Sequence, residues 1–368
     1  MTRLKAFLQR KDIVISARRY GIDALSAMAQ GLFCSLLIGT ILNTLGTQCH
    51  IGFLSATVAT VNGIDYTIGG LASAMVGPAM AVAIGYALKA PNMVLFSLVP
   101  VGWATNAMGG AGGPLAVLVV AIVAAEFGKA VSKETKVDIL VTPIVTILIG
   151  AGLAWLIAAP IGKAASWLGS LIMWATELRP FLMGIIVSVV VGVALTLPIS
   201  SAAICAALSL TGLAGGAAVA GCCAQMVGFA VLSFRENRWG GLVSQGLGTS
   251  MLQMGNIVKN PRIWIPATLA SAITGPIATC LFHLQMNGAA VNSGMGTCGL
   301  CGPIGVWTGW LNPSEAALGA GASAITPGAM DWLGLALICF ILPGLLTWLI
   351  GIPCRKLGWI KDGDLKLD

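Results

Sequence analysis

The sequence predicts an all-α polytopic membrane protein, with roughly 8–10 transmembrane helices and re-entrant hairpins among them. Three observations carry this expectation. Of 368 residues, 57% are hydrophobic and 9% charged, with a mean hydropathy of +0.92; a soluble domain is about 45–50% apolar and about 25% charged. Stretches such as 139–157 and 332–352 carry no charge, and about 20 such residues cross a bilayer core of about 30 Å. No stretch alternates polar and apolar residues over the roughly 10-residue strands of a membrane β-barrel.

The elements follow in order. Arg3, Lys5, Arg10, Lys11, Arg18 and Arg19 precede the first apolar run, 24–45, and no small-residue cleavage pattern follows. Residues 1–20 therefore read as a basic amphipathic segment on the cytoplasmic surface, where each cation gains about 1 kcal/mol from anionic lipid. The net charge of +7 fits this positive-inside bias. It does not suggest nucleic-acid binding, because the charges are scattered over short loops.

The run 24–45 leads outward and 66–88 returns. A short pair, 93–107 and 114–127, ends at the charged loop 129–138, placed inside. The run 139–157 goes out, 163–177 reads as an amphipathic surface helix, and 180–198 comes back. Residues 199–234 end at Arg235, Glu236 and Arg238, again an inside cluster. An even number of crossings or a re-entrant hairpin must fill them. Residues 240–258 are polar and glycine-rich and suit a second re-entrant segment. The run 263–284 goes out, 287–310 is another Gly-rich segment, and 332–352 returns to Arg355 and Lys356. Residues 21–354 thus form one transmembrane domain, hairpin-rich over about 199–310, and 355–368 a cytoplasmic tail, with both termini inside.

Glycine density sharpens the hairpin expectation. Gly109, Gly110, Gly112 and Gly113 precede Pro114, and Gly294, Gly296, Gly299 and Gly302 precede Pro303. Such density favours broken helices, tolerated at membrane depth where protein buries them or a cavity is lined. An internal match, "LASAMVGP" at 71–78 and "LASAITGP" at 269–276, makes an inverted repeat a candidate; in transporters that arrangement puts the substrate site near the bilayer midplane.

Enzyme signatures are missing: no P-loop, H-E-x-x-H or G-x-S-x-G occurs. Asp23, Asp65, Glu126, Glu177 and Asp331 sit near expected span ends, where solvation explains them, and His50 and His283 read as interfacial groups. Cys298 and Cys301 form one C-x-x-C with no partner motif. Redox chemistry there is an alternative, but small apolar packing suits most of the cysteines better. No cofactor, metal site or catalytic residue is expected. The polar content is neutral instead. Asn106, Ser200, Ser201, Gln225, Thr249, Ser250, Gln253, Asn256 and Asn292 are the candidate substrate-binding residues, with Asn62, Ser244 and Gln245 near them in character. Amides and hydroxyls in a concave site hydrogen-bond small polar solutes.

The string "AGCCAQMVGFAVLSFRENRWGGLVSQGLGTSMLQMGNIVKNPRIWIPATLASAITGPIAT" (220–279), with "NSGMGTCGLCGPIG" (292–305) and the tail "RKLGWIKDGDLKL", resembles the EIIC-like permeases of the bacterial phosphotransferase system, in the subgroup that includes the perfringolysin-regulator-like proteins. The resemblance implies a sugar-permease fold in the bacterial inner membrane, a homodimer, an elevator-like shift of one domain, and separate phosphotransferase components as partners. Classical members carry an Asn-Glu-Pro motif whose Glu binds sugar. Counted back from Asn260-Pro261 and Ile265-Pro266, that Glu falls at about Thr249. This chain has no Glu there, no counterpart of the substrate-site His, and no phosphorylated domain. Transport of a sugar or related small polar solute without built-in phosphorylation is the expectation; the alternative is a membrane sensor that binds such a solute.

Overall fold

The computed structural model describes residues 3–48, 51–61 and 63–367. His50 and Asn62 lie outside the described residues. Among the described residues the only named strands are those of one small antiparallel hairpin, Ala59–Val61 with Ile64–Tyr66; the rest is helical or irregular. Among the described residues six helices are long and apolar enough to cross a membrane, and seven if the bent pair Ile68–Ala74 and Val76–Ala87 is one span. One of the six, Asn92–Val131, is itself two helices. Gly110 turns the chain at φ +50°, and Gly128 comes back to lie against Val94. Counting that second helix and the shorter apolar Pro180–Thr196 brings the total into the expected range. The chain is an all-α polytopic membrane protein.

Two compact units divide the chain, Met1–Ala164 and Ala165–Asp368. In the first, the helix Val76–Ala87 packs on Ala24–Leu32 and on Asn92–Gly109. Gly77 and Gly102 bring two of these backbones into direct contact, the small-residue packing that membrane helices use in place of a hydrophobic driving force. The 53° bend between Ile68–Ala74 and Val76–Ala87 has a local cause. Pro78 cannot donate to the carbonyl of Ala74 and its ring crowds it.

Asp138–Thr176 is one 39-residue helix with Pro143 and Pro160 inside, where a span and a separate surface helix were expected. Pro160 and Gly162 are stop signals, yet the helix runs through both. Pro160 removes one hydrogen bond, and the turns on either side continue.

The basic N-terminal segment is pinned by ion pairs. Arg10 meets Glu134 at 2.7 Å, and Lys11 contacts both Glu134 and the Ser132 carbonyl. Arg19 pairs with Asp12 at 2.9 Å and donates to the Leu88 carbonyl at 2.6 Å. Lys129 is 2% exposed; it donates to the carbonyls of Asp12 and Leu88 and pairs with Glu126 at 3.0 Å. Tyr20 donates to the same carboxylate at 3.1 Å. Glu126 is therefore not a solvated span end, as its position in the sequence suggested. Burying a carboxylate requires a partner, and Lys129, three residues on along the same helix, supplies it.

In the second unit three helices form the centre: Pro180–Thr196, Gly212–Leu232 and Ile265–Pro276. Gly221 lies on the Ser188 backbone and Gly275 on that of Gly184, so close that no side chain fits between. Ser188 and Gly192 both meet Gly221, and Thr196 meets Gln225. The first two helices therefore run parallel. Ser188 donates to the Ser271 carbonyl at 2.8 Å and Thr279 to the Pro180 carbonyl at 2.8 Å, so the third runs antiparallel to them.

Candidate functional site

Parallel neighbours need a return connection, and residues 197–211 provide it. Their short helix Ser201–Ala207 starts at Ser200, whose hydroxyl accepts from Ala203 N. A return pass followed by the span Gly212–Leu232 thus fills 199–234, where an even number of crossings or a re-entrant hairpin was expected. The pass is lined by the next broken segment. Gly212 and Met286 exchange two backbone hydrogen bonds at 3.0 Å. Ser293 donates to the Leu210 carbonyl at 2.6 Å, and Ser201 to the Gly294 carbonyl at 2.7 Å.

Residues 286–311 form a hairpin. It enters at the Gly212 end of the helix Gly212–Leu232, because Gly216 lies against Leu284. It descends until Gly296 touches Cys222 and Thr297 donates to the sulfur of Met226 at 3.7 Å. The chain turns at Gly299 and Leu300, both with positive φ, and climbs back as the helix Cys301–Leu311. Gly302 returns against Gly296, Gly305 against Asn292, and Gly309 against Gly288. Glycine at these rungs lets two backbones approach to contact.

A second hairpin enters from the opposite end. After Leu232 the chain kinks at Arg238, φ +51°. Ser244–Gly248 then climbs beside the helix: Gln245 donates to the Ser233 hydroxyl at 2.8 Å, and Gly246 lies beside Ala230. Thr249 is extended (φ −155°, ψ 142°) and breaks the helix, with its hydroxyl accepting from Met251 N. Ser250 is at the tip, and Met254–Lys259 leads back to Asn260. The tips of the two hairpins meet: Ser244–Gly248 packs on Cys298–Leu300. They meet beside Gln225 and Met226, inside the most enclosed of the spans.

Gln225 is fully buried and organises this point. Its carbonyl accepts from Trp264 Nε1 at 2.9 Å and Thr196 Oγ1 at 3.3 Å, and its amide nitrogen donates to Thr268 and Ser271 hydroxyls at 3.4 Å. The hydroxyls of Thr196 and Ser250 lie 2.8 Å apart. Of the residues read from sequence, the structure joins Gln225 and Ser250 in one network and puts Thr249 next to it. Ser200 and Ser201 lie on the return pass, and half-buried Asn292 in the descending arm of the first-described hairpin. Gln253 and Asn256 form a second network with the tail. Gln253 bridges Gln245 and the Leu365 carbonyl at 2.9 Å each, and Asn256 donates to Gln253 and to the Lys366 carbonyl at 2.9 and 2.8 Å. Asn106 belongs to the first unit, half-buried between Gly77 and Gly113.

Thr196, Trp264, Thr268, Ser271 and Thr297 were not among the residues read from sequence. Trp264, Thr268 and Ser271 lie in the quoted string and could have been found there at helical spacing from Pro261. The described residues hold no cluster of three or more His, Cys, Asp or Glu that could bind a metal. Cys298 and Cys301 are buried at a hairpin tip, where a small hydrophobe packs well.

The sequence model of the phosphotransferase system EIIC family matches residues 22–367. No curated protein and no solved structure matches the chain. With a multi-pass helical fold and a family match over nearly its whole length, this chain belongs to the EIIC family of the phosphotransferase system.

Proposed function

We propose that the chain moves a sugar or related small polar solute across the bilayer by elevator-type alternating access, without a phosphorylation step of its own. Family membership supports sugar transport by a permease of the phosphotransferase system. The observation that carries the site is the junction of Ser250, Thr196 and Gln225, where a hairpin tip is tied to a buried span by hydroxyl and amide groups alone. Hydroxyls and amides both donate and accept, so a solute's hydroxyl groups can replace these bonds one for one. Two hairpins entering from opposite ends give each side of the membrane its own gate over one site, and half-helices meeting at depth are the usual construction of such sites.

In this reading Ser250, Thr249 and Gln225 contact the solute. Ser200, Ser201 and Asn292 support it from the return pass and the facing hairpin. Gln253 and Asn256 hold the hairpin that carries Ser250. Thr249, where classical members carry a sugar-binding Glu, offers a hydroxyl but no carboxylate, which supports binding without phosphoryl transfer. The subgroup is that of the perfringolysin-regulator-like proteins, acting as a homodimer in the bacterial inner membrane with cytoplasmic termini and separate phosphotransferase partners. Uptake and exchange of a radiolabelled panel of monosaccharides and polyols by proteoliposomes tests the reading. Saturable flux of at least one solute is expected. Binding without flux would make the chain a sensor, and neither would end the proposal.

A further inference from the structure

A cavity of about 280 Å³ opens where the helix Ile265–Pro276 and its π-helical continuation end, at the base of the 286–311 hairpin. It is lined by His283, Gln285, Asn287, Trp310, Ser323 and Asp331, among others. Asn287 is 5% exposed. Its amide nitrogen donates to Gln285 Oε1 at 3.1 Å, but its carbonyl Oδ1 is buried with no partner in the protein. A buried acceptor left unpaired is destabilising, so a donor is wanted there.

The surroundings say which kind. Trp310 stacks edge to face with Trp332 at 5.3 Å and walls the cavity. Asp331 accepts from Gly328 N at 2.8 Å, holding the carboxylate at the rim. No Lys or Arg lines it. His283 adopts φ +46°, a conformation uncommon outside glycine that concentrates at functional sites. Acceptors beside an apolar ring suit a neutral ring or chain carrying several hydroxyl groups. The volume, just under the lower end of the usual range of about 300–1,000 Å³, admits one such unit.

The cavity's side is also legible. It lies about 30 Å from Asn260, the length of the intervening helix. The Asn260 end carries Arg235, Arg238, Lys259, Arg262, Arg355 and Lys356, whereas 263–354 contains no Lys or Arg. By the positive-inside rule the cavity faces away from the cytoplasm.

We infer that this cavity is an outward-facing loading site for one monosaccharide or polyol unit, with the Asn287 carbonyl accepting a solute hydroxyl. The solute class rests on the permease reading above; the site rests on the cavity itself. The test measures equilibrium binding of radiolabelled glucose and mannitol to the full chain in lipid nanodiscs. Asn287→Leu removes the acceptor, and Ser323→Trp fills the cavity from an exposed position that leaves the core untouched. Each is expected to weaken outward-side binding at least tenfold and to raise the KM of uptake with little change in its maximal rate. Flux by the wild type with binding and KM unchanged in both variants overturns the loading site and leaves the permease reading standing. Binding lost in both variants without wild-type flux upholds the site and overturns the permease. Absence of saturable binding to the wild type overturns the site, the Asn287 carbonyl then being satisfied by water alone.

Discussion

The hydroxyl of Ser250, at the tip of one hairpin, lies 2.8 Å from that of Thr196, at the end of a central helix, and both are fully buried. Through Thr196 the tip reaches Gln225. If a solute exchanges into this junction, Ser250→Ala and Gln225→Ala remove net hydrogen bonding of about 0.5–1.5 kcal/mol each, which is roughly a two- to tenfold loss of affinity. Binding and uptake KM measured on both variants check this, with thermal stability as the control. Unchanged affinity in both would move the site elsewhere.

How much of this was legible in the sequence differs from element to element. The polar, glycine-rich 240–258 and 287–310 announced broken segments, because glycines and neutral polar residues at that density do not make an unbroken lipid-facing span. Their ends of entry were not legible. These depend on Pro180–Thr196 and Gly212–Leu232 running parallel, which is set by the contacts of Ser188, Gly192 and Gly221; no local pattern encodes a long-range pairing. The amides of Gln253 and Asn256 were read as solute ligands from their type alone, but type does not reveal that the Leu365 and Lys366 carbonyls face them. Lys129 and Glu126 show the same limit: two charges near a span end look solvated until the fold closes over them.

The tail prediction follows from that second network. Asn237 donates to the Leu365 carbonyl and accepts from Leu367 N, and Asn260 donates to the Trp359 carbonyl. Asn256→Ala or Asn237→Ala should release the last residues, increasing cleavage at Lys361 and Lys366 in limited trypsin digestion several-fold. Each lost bond is worth about 1 kcal/mol. Cleavage at the wild-type rate would contradict the docking.

Close helix contacts give a stability prediction. A Cβ on Gly221 would overlap the Ser188 backbone, and one on Gly275 the backbone of Gly184. Gly221→Val and Gly275→Val should destabilise by at least about 1–3 kcal/mol, the usual cost of overpacking. Gly240→Ala, where the added methyl meets open space, should leave the melting temperature within experimental error. Equal melting of all three in detergent would contradict the packing.

The N-terminal clamp makes a pH prediction. The Arg19 guanidinium, hydrogen-bonded to Asp12, holds its carboxyl below the ordinary value of 3.8, against the opposing effect of burial. Lys11, hydrogen-bonded to Glu134, holds that carboxyl below 4.5. Because both folded values lie below the unfolded ones, the pairs' contribution is complete above those pH values and is lost as pH falls through the folded values. Spin labels at Gln9 and Lys136 should keep a narrow distance distribution at pH 6 that broadens below about pH 3.8. A distribution unchanged to pH 2 would contradict the clamp.

The most direct test of the transport account locks the Ser250 tip. In a background without the native cysteines, Thr196→Cys and Ser250→Cys place two thiols where the hydroxyls meet at 2.8 Å, close enough for a disulfide after small adjustment. Solute uptake into proteoliposomes is then measured oxidised and reduced. If this hairpin gates the site, uptake falls at least tenfold on oxidation and recovers on reduction. Equal uptake in both states, with the disulfide verified, would contradict the account.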